Sequence, residues 1–186
     1  PLNSLCGGIL TVAMEVIEPM PHILLAGGGH CAQAIADASA PLGWSVSVLD
    51  ARPEYASEEL WPDAEECIAA EPGVFLSRET TESLARFSHI LLLGHDWAID
   101  EALLIGLLER NEGRPRIGCI GSKAKWRAFE KSALQAGISQ NALDAVICPI
   151  GVTIGAESPQ EIAIAVLAQI IAEIKGVDPA SPSWRD

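Results

Sequence analysis

Residues 22–32 read His22-Ile23-Leu24-Leu25-Ala26-Gly27-Gly28-Gly29-His30-Cys31-Ala32, and a second apolar run closes at Asp50. A buried strand that breaks at glycines and runs into an apolar helix is the opening unit of a doubly wound α/β fold. The glycines permit a tight turn at Gly27, continued through Gly28. They also permit a close approach of an anionic group at Gly29, while Ala32 is small enough to pack helix on strand. Asp50 lies twenty-one residues after Gly29. That is near the spacing of about 20 at which an acidic residue closes the second strand and accepts a ribose hydroxyl. Outward from this unit, strand patterns recur at residues 23–26, 46–50, 74–76, 90–93 and 116–120. Helical patterns lie between them, at 80–87, from Asp100 to Leu108, and from Ser122 to Gln135 with a stop at Gly137. The alternation predicts a Rossmann-like, doubly wound parallel sheet with right-handed crossovers. Residues 9–17 (ILTVAMEVI) read as a short strand appended before it, ended by Glu18-Pro19-Met20-Pro21.

Composition bounds the function. The 186 residues are 49% apolar, enough for one domain of roughly 100–200 residues plus an appendage. The division expected is an N-terminal segment 1–20, a domain 21–176 and a tail 177–186. Twenty-five acids against 12 bases give a net charge of −13, which argues against nucleic acid or an anionic membrane as the main partner. No apolar run reaches the ~18–20 residues of a membrane span. Cys6, Cys31, Cys67, Cys119 and Cys148 are scattered, without the spacing of a zinc clip or a compact disulfide framework, so no metal is expected and the compartment expected is the cytoplasm. Residues 54–71 hold seven acids and no base, and read as a solvated loop with a short helix.

In an open parallel sheet, ligands bind beyond the carboxyl ends of the strands where strand order reverses. The loops after strands one, four and five carry Gly27 to His30, Gly94-His95-Asp96-Trp97 and Gly121 to Lys125, and their convergence is the expected pocket. Two imidazoles and Asp96 there suit proton transfer or an oxygen-rich ligand. Seven of the 12 bases (Arg110, Arg114, Arg116, Lys123, Lys125, Arg127, Lys131) fall in one window. Ser122 caps the helix that follows, whose free amides with Lys123 and Lys125 would attract a phosphate. Lys123, Arg127 and Lys131, four apart, equally describe a solvated stripe. Cys31, in a first helical turn, is either a thiol activated by the helix dipole or a packing residue. At the C-terminal end, Ser158-Pro159-Gln160-Glu161 is a capping box with proline at the first helical position. The helix it opens repeats Ile162, Val166, Ile170 and Ile174, a stripe for the core or for self-association.

Taken in order, six stretches resemble the XdhC/CoxI family of accessory proteins of xanthine dehydrogenase and related molybdenum hydroxylases. They are Gly27-Gly28-Gly29-His30, Leu49-Asp50-Ala51-Arg52-Pro53, Gly94-His95-Asp96, Gly118-Cys119-Ile120-Gly121-Ser122-Lys123-Ala124-Lys125, Pro149-Ile150-Gly151 and Ser158-Pro159-Gln160-Glu161-Ile162-Ala163. The resemblance implies a Rossmann-like C-terminal domain in a chaperone, not a catalyst, that binds the molybdenum cofactor, supports its sulfuration and delivers it to the apo-enzyme. It implies a cysteine desulfurase and the apo molybdenum hydroxylase as partners; a homo-oligomer is a separate expectation. Cofactor contacts are carried onto Gly27, Gly28, Gly29, His30, Asp50, Arg52, His95, Asp96, Gly121, Ser122, Lys123, Lys125, Pro149 and Gly151. The chain departs from the family at Gly28, where alanine is usual, at Cys31, where an apolar residue is usual, and at Gly94, where threonine is common. Of the family's N-terminal domain, with its cysteine motif, only Cys6-Gly7-Gly8 and the strand after it resemble the end. Two other readings stand beside the chaperone: an NAD-dependent oxidoreductase with Asp50 on the ribose and His95 as proton donor, and an NAD-sensing regulatory module. The oxidoreductase lacks a Tyr-Lys dyad, since Tyr55 is the one tyrosine.

Overall fold

A computed structural model describes residues 11–15, 19–110 and 115–180. Five parallel strands, β1 (His22–Ala26), β2 (Ser45–Asp50), β3 (Glu66–Ala69), β4 (His89–Leu92) and β5 (Arg116–Cys119), form one sheet in the order β3-β2-β1-β4-β5. Chain order therefore reverses between β1 and β4, as the glycine-loop reading requires. Strands buried on both faces need continuous apolar runs, and β1 and β4 supply them with Ile23-Leu24-Leu25-Ala26 and Ile90-Leu91-Leu92.

Helices cover both faces. On one side α1 (His30–Ser39) packs on α7 (Pro159–Lys175), with Ile35, Val166 and Ile170 against Ile23, Leu25 and Val48. On the other, α2 (Pro72–Arg78), α3 (Thr81–Leu84), α4 (Trp97–Leu108), α5 (Lys123–Gln135) and α6 (Gln140–Asp144) bury Phe75, Leu84, Leu103, Phe129 and Leu143 against Leu24, Ile90 and Leu92. The capping box of α7 forms as read: Ser158 accepts from the Glu161 amide, and Glu161 accepts from the Ser158 amide. Gly176, at φ 63°, closes that helix, and Gly137, at φ 92°, follows α5.

The structure corrects the sequence reading in five places. Residues 74–76 are helix, not strand. Pro72 occupies the first turn of α2, and Phe75 and Leu76 are buried side by side while Val74 faces out, a helical pattern and not an alternating one. The third strand is instead Glu66–Ala69, an edge strand inside the acidic segment. Its half-buried Cys67 and Ile68 are too short a signal to stand out among carboxylates. The 80–87 helix is a single turn under the Thr80 cap. Helix α4 begins at Trp97 with Asp96 as its cap, so Asp100 lies inside the helix and is 1% exposed. Residues 11–15 form no strand; the rest of the expected strand 9–17 lies outside the described residues, as do Cys6, Arg114 and 181–186.

Candidate functional site

The carboxyl ends of the strands carry two separate clefts. The first, about 30 Å³, is bounded by Gly27 after β1, Asp50 and Ala51 after β2, Ala70 and Pro72 beyond β3, Gly94, His95 and Asp96 after β4, and Asp100 on α4. The second, about 140 Å³, lies against α5 between Gly121, Ser122, Lys123, Trp126, Arg127, Glu130, Cys148 and Pro149. The pocket expected from three converging loops is thus split in two. His95 and Asp96 line the first cleft and Ser122 and Lys123 the second, whereas His30 stands exposed at the start of α1 and lines neither.

The glycine loop is built by contact with its neighbours. Gly27, at φ 110°, turns so close to β4 that a Cβ would sit 2.8 Å from the Gly94 amide nitrogen, which only glycine tolerates. At Gly28 a Cβ would come within 2.0 Å of the Tyr55 carbonyl oxygen, because the 3-10 turn Pro53–Tyr55 folds down on the loop. Gly29 faces open space and is the N-cap of α1, with no side chain bonded to the helix amides there. Cys31, half-buried in the first turn, has its thiol pushed up by burial, which favours packing over the activated thiol.

Asp50 is saturated. Its Oδ2 accepts from the Gly28 amide at 2.9 Å and from Arg52 Nη2 at 2.8 Å; its Oδ1 accepts from the Arg52 amide at 3.0 Å and from Arg52 Nε at 2.9 Å. A carboxylate offers about four acceptor sites, so a ribose hydroxyl would have to displace one of these donors. Burial would raise the Asp50 carboxyl, but the hydrogen bonds from Arg52 and Gly28 and the guanidinium charge outweigh it and hold the group below its ordinary value. The Arg52 guanidinium also lies 3.7 Å above the Tyr55 ring, which fastens the same turn over the loop.

Lys125 is turned inward. Its Nζ donates to Asp100 Oδ2 at 2.6 Å and to the Ile120 carbonyl at 3.2 Å, and the side chains are 6% and 1% exposed. This buried ion pair ties α4 to α5 behind both clefts, so the Lys125 charge expected to attract a phosphate is spent inside the protein. Burial pushes the Asp100 carboxyl up, against the pull of Lys125 and of the Gly94 amide. Two glycines make room for the pair: a Cβ at Gly94 would meet Asp100 Oδ1 at 2.2 Å, and one at Gly121 would meet Lys125 Cδ at 2.9 Å. A side chain at position 94, such as the threonine common in the resembling family, therefore has no space in this chain.

The remaining candidates have local roles as well. Asp96 caps α4 by accepting from the Ala98 amide at 2.8 Å, and Ser122 caps α5 by accepting from Lys125 N at 3.3 Å. Lys123, Arg127 and Lys131 lie along α5, away from buried Phe129 and Ala133, and none has an ion-pair partner among the described residues. Pro149 is exposed beside the second cleft, and Gly151, at φ 114°, packs against Ala165 of α7. Sequence reasoning missed the Asp100–Lys125 pair, the Arg52 clamp and the Tyr55 carbonyl. The available signals were glycines at 94 and 121, where a side chain would have collided with the pair.

Comparison with known proteins matches residues 23–170 to the XdhC Rossmann domain. The uncharacterized protein YqeB of Escherichia coli K12 is 31% identical over 170 residues, which are 91% of this chain and 30% of that protein. A Bacillus subtilis 168 protein named as a probable xanthine dehydrogenase subunit is 33% identical over 166 residues, 88% of this chain and 46% of that one. A crystal structure described as a xanthine dehydrogenase from Bacillus halodurans superimposes with a TM-score of 0.70 at 27% identity, covering 89% of this chain and 46% of that one. The chain thus spans less than half the length of these relatives. No helix among the described residues is long and apolar enough to cross a membrane. With its strand order, its glycine loop and a match across 23–170, the chain belongs to the XdhC family as its Rossmann domain.

Proposed function

We propose that this chain is an accessory factor for molybdenum hydroxylases such as xanthine dehydrogenase. It holds the molybdenum cofactor as cargo, supports its sulfuration and insertion, and works in the cytoplasm beside a cysteine desulfurase and the apo-enzyme. The observation that carries the reading is the family match over 23–170, supported by a relative named for a xanthine dehydrogenase subunit. The cargo bears a phosphate on a pterin, and the donors at the strand ends suit such a group. Gly29 and His30 lie open at the uncapped start of α1, and Ser122, Lys123 and Arg127 border the second cleft in a protein that is otherwise acidic.

The geometry also bears on the dinucleotide alternative. Asp50 has its acceptor sites filled by Arg52 and Gly28, which leaves it none for a ribose hydroxyl. A ribose bound there therefore requires Arg52 or the Gly28 amide to release the carboxylate. Exposed Ile164, Ile171 and Ile174 on α7 support self-association, which light scattering would measure. Titration calorimetry of one sample with the molybdenum cofactor, NAD and NADP tests the proposal. Saturable binding of the cofactor supports it, and binding of NAD alone overturns it.

A further inference from the structure

Cys119 and Cys148 come from different stretches of the chain, yet an isolated bridge between their preceding residues makes them neighbours. Gly118 bridges Ile147 in parallel register, Cys119 N donates to the Ile147 carbonyl at 2.9 Å, and Ile150 N donates to the Cys119 carbonyl at 3.0 Å. That register sets Cys119 beside Cys148. Paired strands lie about 4.8 Å apart, inside the roughly 4.4–6.8 Å between Cα atoms that a disulfide spans. Cys148 packs against the buried cluster that contains Cys119, and both thiols are free. Their surroundings differ. Cys119 is fully buried at the end of β5, whereas Cys148 is half-buried and lines the second cleft, where Lys123 and Arg127 also stand.

We propose that Cys119 and Cys148 are a redox pair, in which Cys148 receives an incoming small-molecule disulfide from the α5 cleft and Cys119 resolves it into an intramolecular disulfide. The Cys148 thiolate attacks one sulfur of the small disulfide; that S–S bond breaks, a mixed disulfide forms, and one small thiol leaves. The Cys119 thiol then gives up its proton and attacks the Cys148 sulfur, so the Cys119–Cys148 bond forms and the second small thiol leaves. Two protein thiols are oxidised and one small disulfide is reduced to two thiols.

The asymmetry fits the order of the steps. Hydrogen bonding with Cys119 pulls the Cys148 thiol down against burial, with help from the Lys125 charge, so Cys148 is the more acidic thiol of the two. Hydrogen bonding with Cys148 and then burial push the Cys119 thiol far up, so it stays protonated until the mixed disulfide has formed. The bond would pin the segment carrying Pro149 and Gly151 to the end of β5. The backbone register and the shared packing carry this pairing, whatever cargo the clefts hold.

The test is to treat the purified protein with oxidised glutathione, quench with an alkylating reagent, and map peptides by mass spectrometry. The expected product is a linked pair of peptides holding Cys119 and Cys148, reversed by dithiothreitol. In Cys119→Ser, Cys148 should stop at the mixed disulfide with glutathione, and in Cys148→Ser, Cys119 should stay unmodified. Circular dichroism confirms that each variant is folded, and wild type alone decides the matter if one is not. Wild type in which both thiols stay reduced while Cys31 or Cys67 is modified overturns the proposal, as does wild type that accumulates the mixed disulfide without resolving it.

Discussion

Replacing Lys125 by methionine keeps most of the side-chain volume and removes the charge that faces Asp100. The pair is 2.6 Å apart with both side chains almost wholly buried, so the variant leaves a carboxylate in the interior with only the Gly94 amide for compensation. Removing one partner of such a pair costs roughly 3–5 kcal/mol. At ~2–4 °C per kcal/mol for a chain of this length, Tm should fall by about 6–20 °C. The loss depends on pH in a defined sense. Burial already pushes the Asp100 carboxyl up, and without Lys125 it rises further above its unfolded value near ~3.9. A raised carboxyl adds stability that is fully present below the unfolded pKa and is lost as pH rises through the folded one. The deficit relative to wild type should therefore be smallest at low pH and grow by up to about 1.4 kcal/mol per pH unit once pH passes the raised wild-type Asp100 value. Urea denaturation of both proteins at pH 4.5, 6 and 7.5 measures this. Adding Asp100→Asn, which keeps an acceptor for the Gly94 amide, should recover more than half the loss at pH 7.5. A deficit below about 1 kcal/mol, or one equal at all three pH values, would refute the buried ion pair.

Further outcomes follow from other contacts. Gly28→Ala should lift the 53–55 turn, because the new methyl meets the Tyr55 carbonyl that also accepts from Trp61 Nε1 at 2.8 Å; a stability loss of about 1–3 kcal/mol with altered tryptophan emission would show it. Ser158→Ala removes half of the α7 capping box and should cost about 1 kcal/mol, read as a Tm lower by ~2–4 °C. Asp50, Glu79 and Glu173 all have carboxyls held below their ordinary values. Burial works against this in each, and it is overcome by Arg52 and the Gly28 amide, by Arg86 and Ser83, and by His89, Gln169 and Arg116 respectively. Their contributions are fully present above the unfolded carboxylate range and vanish as pH falls through the folded values, so denaturation midpoints should drop steeply below about pH 4. Arg52→Ala should flatten part of that drop.

Much of the fold was legible because long apolar runs and capped helices are local signals. Strands β1, β2 and β4, the α7 capping box and the stop at Gly137 each follow from a few neighbouring residues. The edge strand β3 was not legible, since four residues among acids, three of them half-buried, carry no period, and Val74-Phe75-Leu76 imitates a strand until Pro72 is weighed. The site was legible as a set of loops and not as a pocket. Whether His30 and His95 share a cleft, whether Lys125 faces out or in, and whether Asp50 keeps a free acceptor depend on contacts made by Tyr55, Asp100 and Arg52. Those residues are distant in sequence from the groups they control, or offer no periodic pattern.

If the strand-end donors of this XdhC-family domain hold a phosphate-bearing pterin cofactor, that cofactor should travel with the purified protein. Mass spectrometry of the small molecules released on denaturation decides this, using protein from cells that make the molybdenum cofactor, for wild type and for Lys123→Ala with Arg127→Ala. A pterin bearing phosphate, released from wild type and depleted at least severalfold in the variant, is the predicted result. Release of NAD with no pterin, or no released ligand together with no binding when the cofactor is titrated in, would contradict it.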